Sequence, residues 1–100
     1  MKILILGAGA LGGYYGGLLQ KGGADVTFLV RPQTAERLRK EGLRIRLQKG
    51  WYESPVKTIS RKATSDIFDV IFVTCKAFDL EGAMQAIEPM VGPQTAILPI

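Results

Sequence analysis

The sequence contains no histidine and one cysteine, Cys75. No disulfide can therefore form within it, imidazole catalysis is excluded, and a zinc site would lack soft ligands, so no metal is expected. So few thiols fit a reducing, cytoplasmic setting. Low-complexity tracts are also missing, and with 47% apolar and 22% charged residues the composition is not that of a disordered chain. The longest apolar stretch, Ile3 to Leu19, holds six glycines in seventeen residues. That is too many for a membrane helix or a leader core, so no membrane association is expected. One hundred residues without an internal repeat allow one small domain, residues 1–100.

The net charge of +4 is local in origin. Between Arg31 and Lys49 seven basic residues face only Glu36 and Glu41, making that window +5 and the remainder −1. A basic window can serve nucleic acid or a phosphorylated small molecule, but a solvated face is the default reading. Trp51 and Tyr52 are expected to pack a hairpin rather than stack on bases, so no nucleic-acid partner is expected.

Ile3 to Leu6 is an unbroken apolar run, the pattern of a strand buried on both faces. A helix is expected from about Ala10 to Lys21, ended by Gly22-Gly23. Val26 to Val30 reads as a second buried strand, closed by Arg31-Pro32. Pro32 suits the start of a short helix through Lys40, with Gly42 as its stop. Leu43 to Gln48 alternates apolar and basic residues, a half-exposed strand that turns at Lys49-Gly50. Val56 to Ile59 and Phe68 to Thr74 read as further strands. Leu80, Ala83, Met84 and Ile87 share one helical face, with Asp79 as the N-cap and Pro89 and Gly92-Pro93 as the end. A last strand is expected to open at Thr95 and run to Ile100. Strands alternating with helices imply an α/β fold: a Rossmann-type, mostly parallel sheet with helices on both faces, incomplete at the C-terminus.

Gly7-Ala8-Gly9-Ala10-Leu11-Gly12 follows the first strand and opens the first helix. Gly7 permits the tight turn, Gly9 lets the backbone approach a pyrophosphate, and Gly12 lets the helix lie close to the sheet. The free N–H groups of the helix start then face the phosphates. In this context the motif reads as a dinucleotide site. Gly9, Gly13 and Gly17 continue as a stripe, read as close packing of the helix on the sheet.

The choice of cofactor is made at the end of the second strand. An acid there would bind ribose hydroxyls. Asp25 lies at the wrong end of that strand, and Arg31 stands at the right one. A guanidinium can grip a 2′-phosphate through two charge-assisted bonds, which favours NADP over NAD. Thr74-Cys75-Lys76 ends the Phe68 strand at the same sheet edge, along which ligands of such folds lie, so Thr74 and Lys76 are counted among the candidate cofactor-binding residues. Lys76 could meet a substrate carboxylate, meet a cofactor phosphate, or be merely solvated. Cys75 reads as a small buried residue.

These residues together resemble ketopantoate reductases (2-dehydropantoate 2-reductases). The resemblance is carried by Met1-Lys2-Ile3 into Leu6-Gly7-Ala8-Gly9-Ala10-Leu11-Gly12-Gly13, by Leu29-Val30-Arg31-Pro32, and by Val73-Thr74-Cys75-Lys76-Ala77-Phe78. It implies an NADPH-dependent reductase that converts 2-dehydropantoate to (R)-pantoate on the route to pantothenate and coenzyme A. It implies that Gly7 to Gly12 bind pyrophosphate, that Arg31 binds the 2′-phosphate, and that Lys76 lines the cleft near the nicotinamide. The family's Asn-Gly motif, general-acid lysine and substrate-binding glutamate would lie beyond Ile100, the last two in a C-terminal helical domain. The catalytic residues are accordingly expected there, and these 100 residues alone are expected to be inactive. Two other readings stay open: a regulatory nucleotide-binding module, which usually has an acid where Arg31 stands, and the cofactor domain of another hydroxy-acid dehydrogenase.

Overall fold

A computed structural model describes residues 1–7, 10–48, 50–59, 67–74, 85 and 87–99, with the backbone alone for Ala10, Leu11 and Pro99. Its elements are β1 (Lys2–Leu6), α1 (Ala10–Lys21), β2 (Asp25–Leu29), α2 (Pro32–Glu41), β3 (Leu43–Leu47), β4 (Gly50–Ser54), β5 (Lys57–Ile59), β6 (Phe68–Val73), a 3₁₀ turn (Glu88–Met90) and β7 (Val91–Pro99). Five strands form a wholly parallel sheet in the order β5-β2-β1-β6-β7, while β3 and β4 form a separate antiparallel hairpin. This is the α/β Rossmann-like architecture expected from the alternating pattern. The expected helix bearing Asp79, Leu80, Ala83 and Met84 lies outside the described residues, as does Cys75.

The apolar runs form strands because the sheet buries both of their faces. Leu4 and Leu6 of β1 pack with Leu29, Phe68, Ile71, Val73, Ile87 and Met90 on one face. Ile3 and Ile5 pack with Val26, Phe28, Val30, Leu38 of α2, and Leu43 and Ile45 of the hairpin on the other. The hairpin alternates as expected: Leu43 and Ile45 are buried, and Arg44 and Arg46 are exposed. Tyr52 packs inward against the core. Trp51 does not: it is 55% exposed and lies under the guanidiniums of Arg44 (4.4 Å) and Arg46 (5.8 Å).

The glycines of α1 divide between two layers. A β-carbon at Gly16 would fall 2.5 Å from Phe28 Cζ of the sheet, and one at Gly17 would fall 2.6 Å from Ile45 Cδ1 of the hairpin. Of the expected stripe, Gly9 lies outside the described residues and Gly17 meets the hairpin rather than the sheet; the close approach to the sheet is made at Gly16. Gln20 pins the same hairpin, donating to Ser54 Oγ (3.1 Å) and the Pro55 carbonyl (2.8 Å).

At β7 the strand opens at Val91, ahead of the expected Thr95. The register steps from Phe68↔Val91 to Val70↔Ala96, so Gly92, Pro93 and Gln94 bulge out of the ladder. Proline cannot donate to a ladder and is accommodated at such irregularities. The Thr95 hydroxyl repairs the break, accepting from Gly92 N–H (2.8 Å) and donating to the Phe68 carbonyl (2.7 Å).

Candidate functional site

The register puts three strand ends at one edge. Leu6 pairs with Leu29 on one side and Val73 on the other, so β1, β2 and β6 finish level. The chain moves outward from β1 to β2 and β5, then returns to β6 on the opposite side of β1. That reversal is the topological switch point, outside which ligands of open α/β sheets bind.

Gly7 lies at this point with φ +100°, a conformation that disfavours side chains. Its N–H donates to the Leu29 carbonyl at 2.9 Å. The first turn of α1 rests on it: a β-carbon at Gly12 would lie 2.7 Å from the Gly7 carbonyl oxygen and 2.9 Å from Thr74 Oγ1. Gly7, Gly12 and Thr74, distant in sequence, thus converge where β1 and β6 end. Ala10 and Leu11 form the start of α1, and Ala8, Gly9 and Lys76 lie outside the described residues. No acid sits in the first turn of α1, so its positive end is not neutralised from within.

Arg31 follows Val30, whose N–H still bonds to the Ile59 carbonyl (3.1 Å). Its backbone is extended (φ −65°, ψ 154°), as the following proline requires, and it forms the N-cap of α2. It is exposed at the same edge as Gly7, and among the described residues it has no ion-pair partner. Asp25 is at the opposite edge, paired in register with Lys2. There Lys57 Nζ lies 2.7 Å from its carboxylate, and this hydrogen bond holds the Asp25 carboxyl below its usual value. The carboxyl edge of β2 therefore presents a cation and no carboxylate among the described residues.

Sequence reasoning placed Thr74 among the cofactor-binding residues without a specific role. Its hydroxyl is committed to the protein, donating to the Leu6 carbonyl at 2.7 Å. A groove of about 830 Å³ lies elsewhere, between α1, α2 and β3, lined by Arg37, Arg44 and Arg46 together with the acids Glu41 and Glu53. Neither Gly7, Gly12, Arg31 nor Thr74 lines it, so it is separate from the carboxyl edge. Among the described residues no helix is long and apolar enough to cross a membrane.

Chemically the edge suits a dianion or diphosphate: a glycine turn, a helix with no acid in its first turn, and a guanidinium without an ion-pair partner among the described residues. Comparison with known proteins places the chain in a family. The family model for ketopantoate reductase PanE/ApbA matches residues 3–100. The uncharacterized oxidoreductase YkpB of Bacillus subtilis is 41% identical over 99 residues, covering 99% of this chain and 32% of the relative. The solved 2-dehydropantoate 2-reductase of Geobacter metallireducens is 37% identical with a TM-score of 0.90, over 100% of this chain and 33% of that one. A D-mandelate dehydrogenase solved with NADH and anilino(oxo)acetate is 27% identical with a TM-score of 0.91, over 100% of this chain and 33% of that one. The chain spans about a third of the length of the curated relatives it matches.

Proposed function

Because the chain belongs to the ketopantoate reductase PanE/ApbA family, we propose that residues 1–100 form the NADP(H)-binding domain of a longer reductase acting on 2-dehydropantoate. The observation that carries this reading is the convergence of the Gly7 turn, Gly12 and the start of α1 at the switch point, beside Arg31. The family is one of nicotinamide-dependent oxidoreductases, which sets aside a purely regulatory nucleotide module.

The residues present fit the cofactor. Gly7 to Gly12 and the first N–H groups of α1 would hold the pyrophosphate, since the Gly12 approach leaves no side chain between helix and turn. Arg31 would hold the 2′-phosphate, and Lys76 would line the cleft toward the nicotinamide. When bound, NADPH would supply the hydride for the keto carbon, and with one proton from the domain beyond Ile100 the products would be (R)-pantoate and NADP⁺. The proton donor and the substrate carboxylate anchor are assigned to a C-terminal domain beyond Ile100, and the site of action to the cytoplasm. This chain's own part is to bind and orient.

A second reading, reduction of a different 2-keto acid with NADH, is favoured by the D-mandelate dehydrogenase likeness. Titrating NADPH and NADH into wild type and Arg31→Ala separates the two cofactor choices. A charge-assisted contact contributes about 1.5–3 kcal/mol, on the order of 10- to 100-fold in affinity. NADPH should weaken by that factor in the variant and NADH should stay nearly unchanged. A wild-type preference for NADH sinks the NADP assignment. Rates of the full-length protein on 2-dehydropantoate and on aromatic 2-keto acids separate the substrates.

A further inference from the structure

We propose that Thr74 is a positioning residue that holds the end of β1, the Gly7 turn and the first turn of α1 in the arrangement on which the cofactor pyrophosphate lies, a role that rests on the cofactor reading above. The two strands stay in register up to Leu6↔Val73. One residue further, the ladder stretches: Thr74 N–H lies 3.4 Å from the Leu6 carbonyl, at the outer limit of a hydrogen bond. The Gly7 N–H, facing the other way as alternation along a strand requires, bonds to the Leu29 carbonyl of β2. The last described rung of the β1–β6 ladder is thus a weak one, and the backbone alone leaves the Leu6 carbonyl poorly paired at the carboxyl edge.

A poorly paired carbonyl is costly in a half-buried setting, and one free to turn outward would face phosphate oxygens with like charge. The Thr74 hydroxyl removes both problems by donating to the Leu6 oxygen at 2.7 Å. One side chain supplies the contact that the backbone no longer makes well. The same Oγ1 is 3.0 Å from the β-carbon position of Gly7 and 2.9 Å from that of Gly12. It therefore abuts both glycines and fixes the end of β1, the turn and the first turn of α1 relative to one another. Its proton points to Leu6, so Thr74 acts on the phosphates through the turn rather than by donating to them.

The test is calorimetric binding of NADPH and of adenosine 2′-monophosphate to wild type, Thr74→Val and Thr74→Ser. Valine keeps the shape without the donor, and serine keeps the donor. NADPH affinity should fall about three- to tenfold in Thr74→Val, the effect of one neutral hydrogen bond, and return to within about twofold of wild type in Thr74→Ser. Adenosine 2′-monophosphate has the phosphate that Arg31 reads and lacks the pyrophosphate, so it should bind all three proteins alike. Unchanged NADPH affinity in Thr74→Val overturns the proposal. So does failure of serine to restore it, or an equal loss for both ligands, which marks a general role in the fold. A wild type that binds neither ligand refutes the cofactor reading along with it.

Discussion

Gly16→Ala should destabilise the protein even though alanine is the better helix former. The β-carbon would lie 2.5 Å from Phe28 Cζ, 2.8 Å from Phe28 Cε1 and 3.2 Å from Ile5 Cγ1. Ordinary contacts are 3.4–4 Å, so helix and ring must separate by about 1 Å. Phe28 and Ile5 are both fully buried at the centre of the sheet, which leaves the ring nowhere to retreat. Forcing a methyl into such packing costs about 1–3 kcal/mol. Replacing a helical glycine with alanine returns about 1 kcal/mol. The net loss is therefore about 1 kcal/mol, or roughly 4–8 °C in Tm for a domain of this size. Gly22→Ala is the control, because its β-carbon would make only ordinary contacts, 3.5 Å from the Leu19 oxygen, at a φ that is not left-handed. It should be neutral or stabilising by up to about 1 kcal/mol. Urea denaturation at constant m-value measures both. In the double variant Gly16→Ala/Phe28→Leu, the shorter side chain removes the clash, so the two losses should sum to less than expected by about 1 kcal/mol. If Gly16→Ala equals or exceeds wild type in stability, α1 does not lie on the sheet at the distance described.

Two further outcomes follow from the geometry. Gly12→Ala meets the Gly7 carbonyl, which belongs to the backbone and cannot swing away, so NADPH affinity should fall at least about tenfold by calorimetry as the turn is displaced. Asp25→Asn removes the partner of Lys57 at the opposite edge. The Lys57 hydrogen bond holds the wild-type carboxyl below its ordinary pKa of 3.8, so its stabilisation is present above that value and is lost as pH falls through the folded one. Urea midpoints of wild type and variant should accordingly differ near neutrality and converge in strong acid. A gap that persists unchanged there contradicts the pairing.

Local chemistry made much of this legible. α1 has the expected bounds because a glycine turn and a glycine pair bracket it, and Arg31 is extended because proline follows it. Asp25 and Arg31 fell on opposite edges because a five-residue strand separates its ends by a fixed rise. Other features depend on distant partners. The division of Gly16 and Gly17 between sheet and hairpin reflects where β3 docks, and periodicity does not encode that. Thr74 meets Leu6 across 68 positions of sequence. The early start of β7 was hidden because Gly92-Pro93 reads as a terminator unless the Thr95 hydroxyl is known to bridge the bulge.

The glycine content of α1 bears on the order of folding. Four of its twelve residues are glycine, each about 1 kcal/mol less helix-favouring than alanine, so an isolated α1 is about 4 kcal/mol worse than an alanine helix of its length. Helices this short are marginal in water even when rich in alanine. The segment becomes helical because β1 and β2 hold it on one side and the hairpin holds it on another. It is therefore expected to form late, outside the folding nucleus, so that changes within it should slow folding little and speed unfolding more, which stopped-flow folding and unfolding rates of Gly16→Ala would measure. The start of α1, where the proposed dinucleotide site lies, should then be among the last parts of the domain to order, and a dinucleotide bound there should prolong the life of the folded state without hastening its arrival.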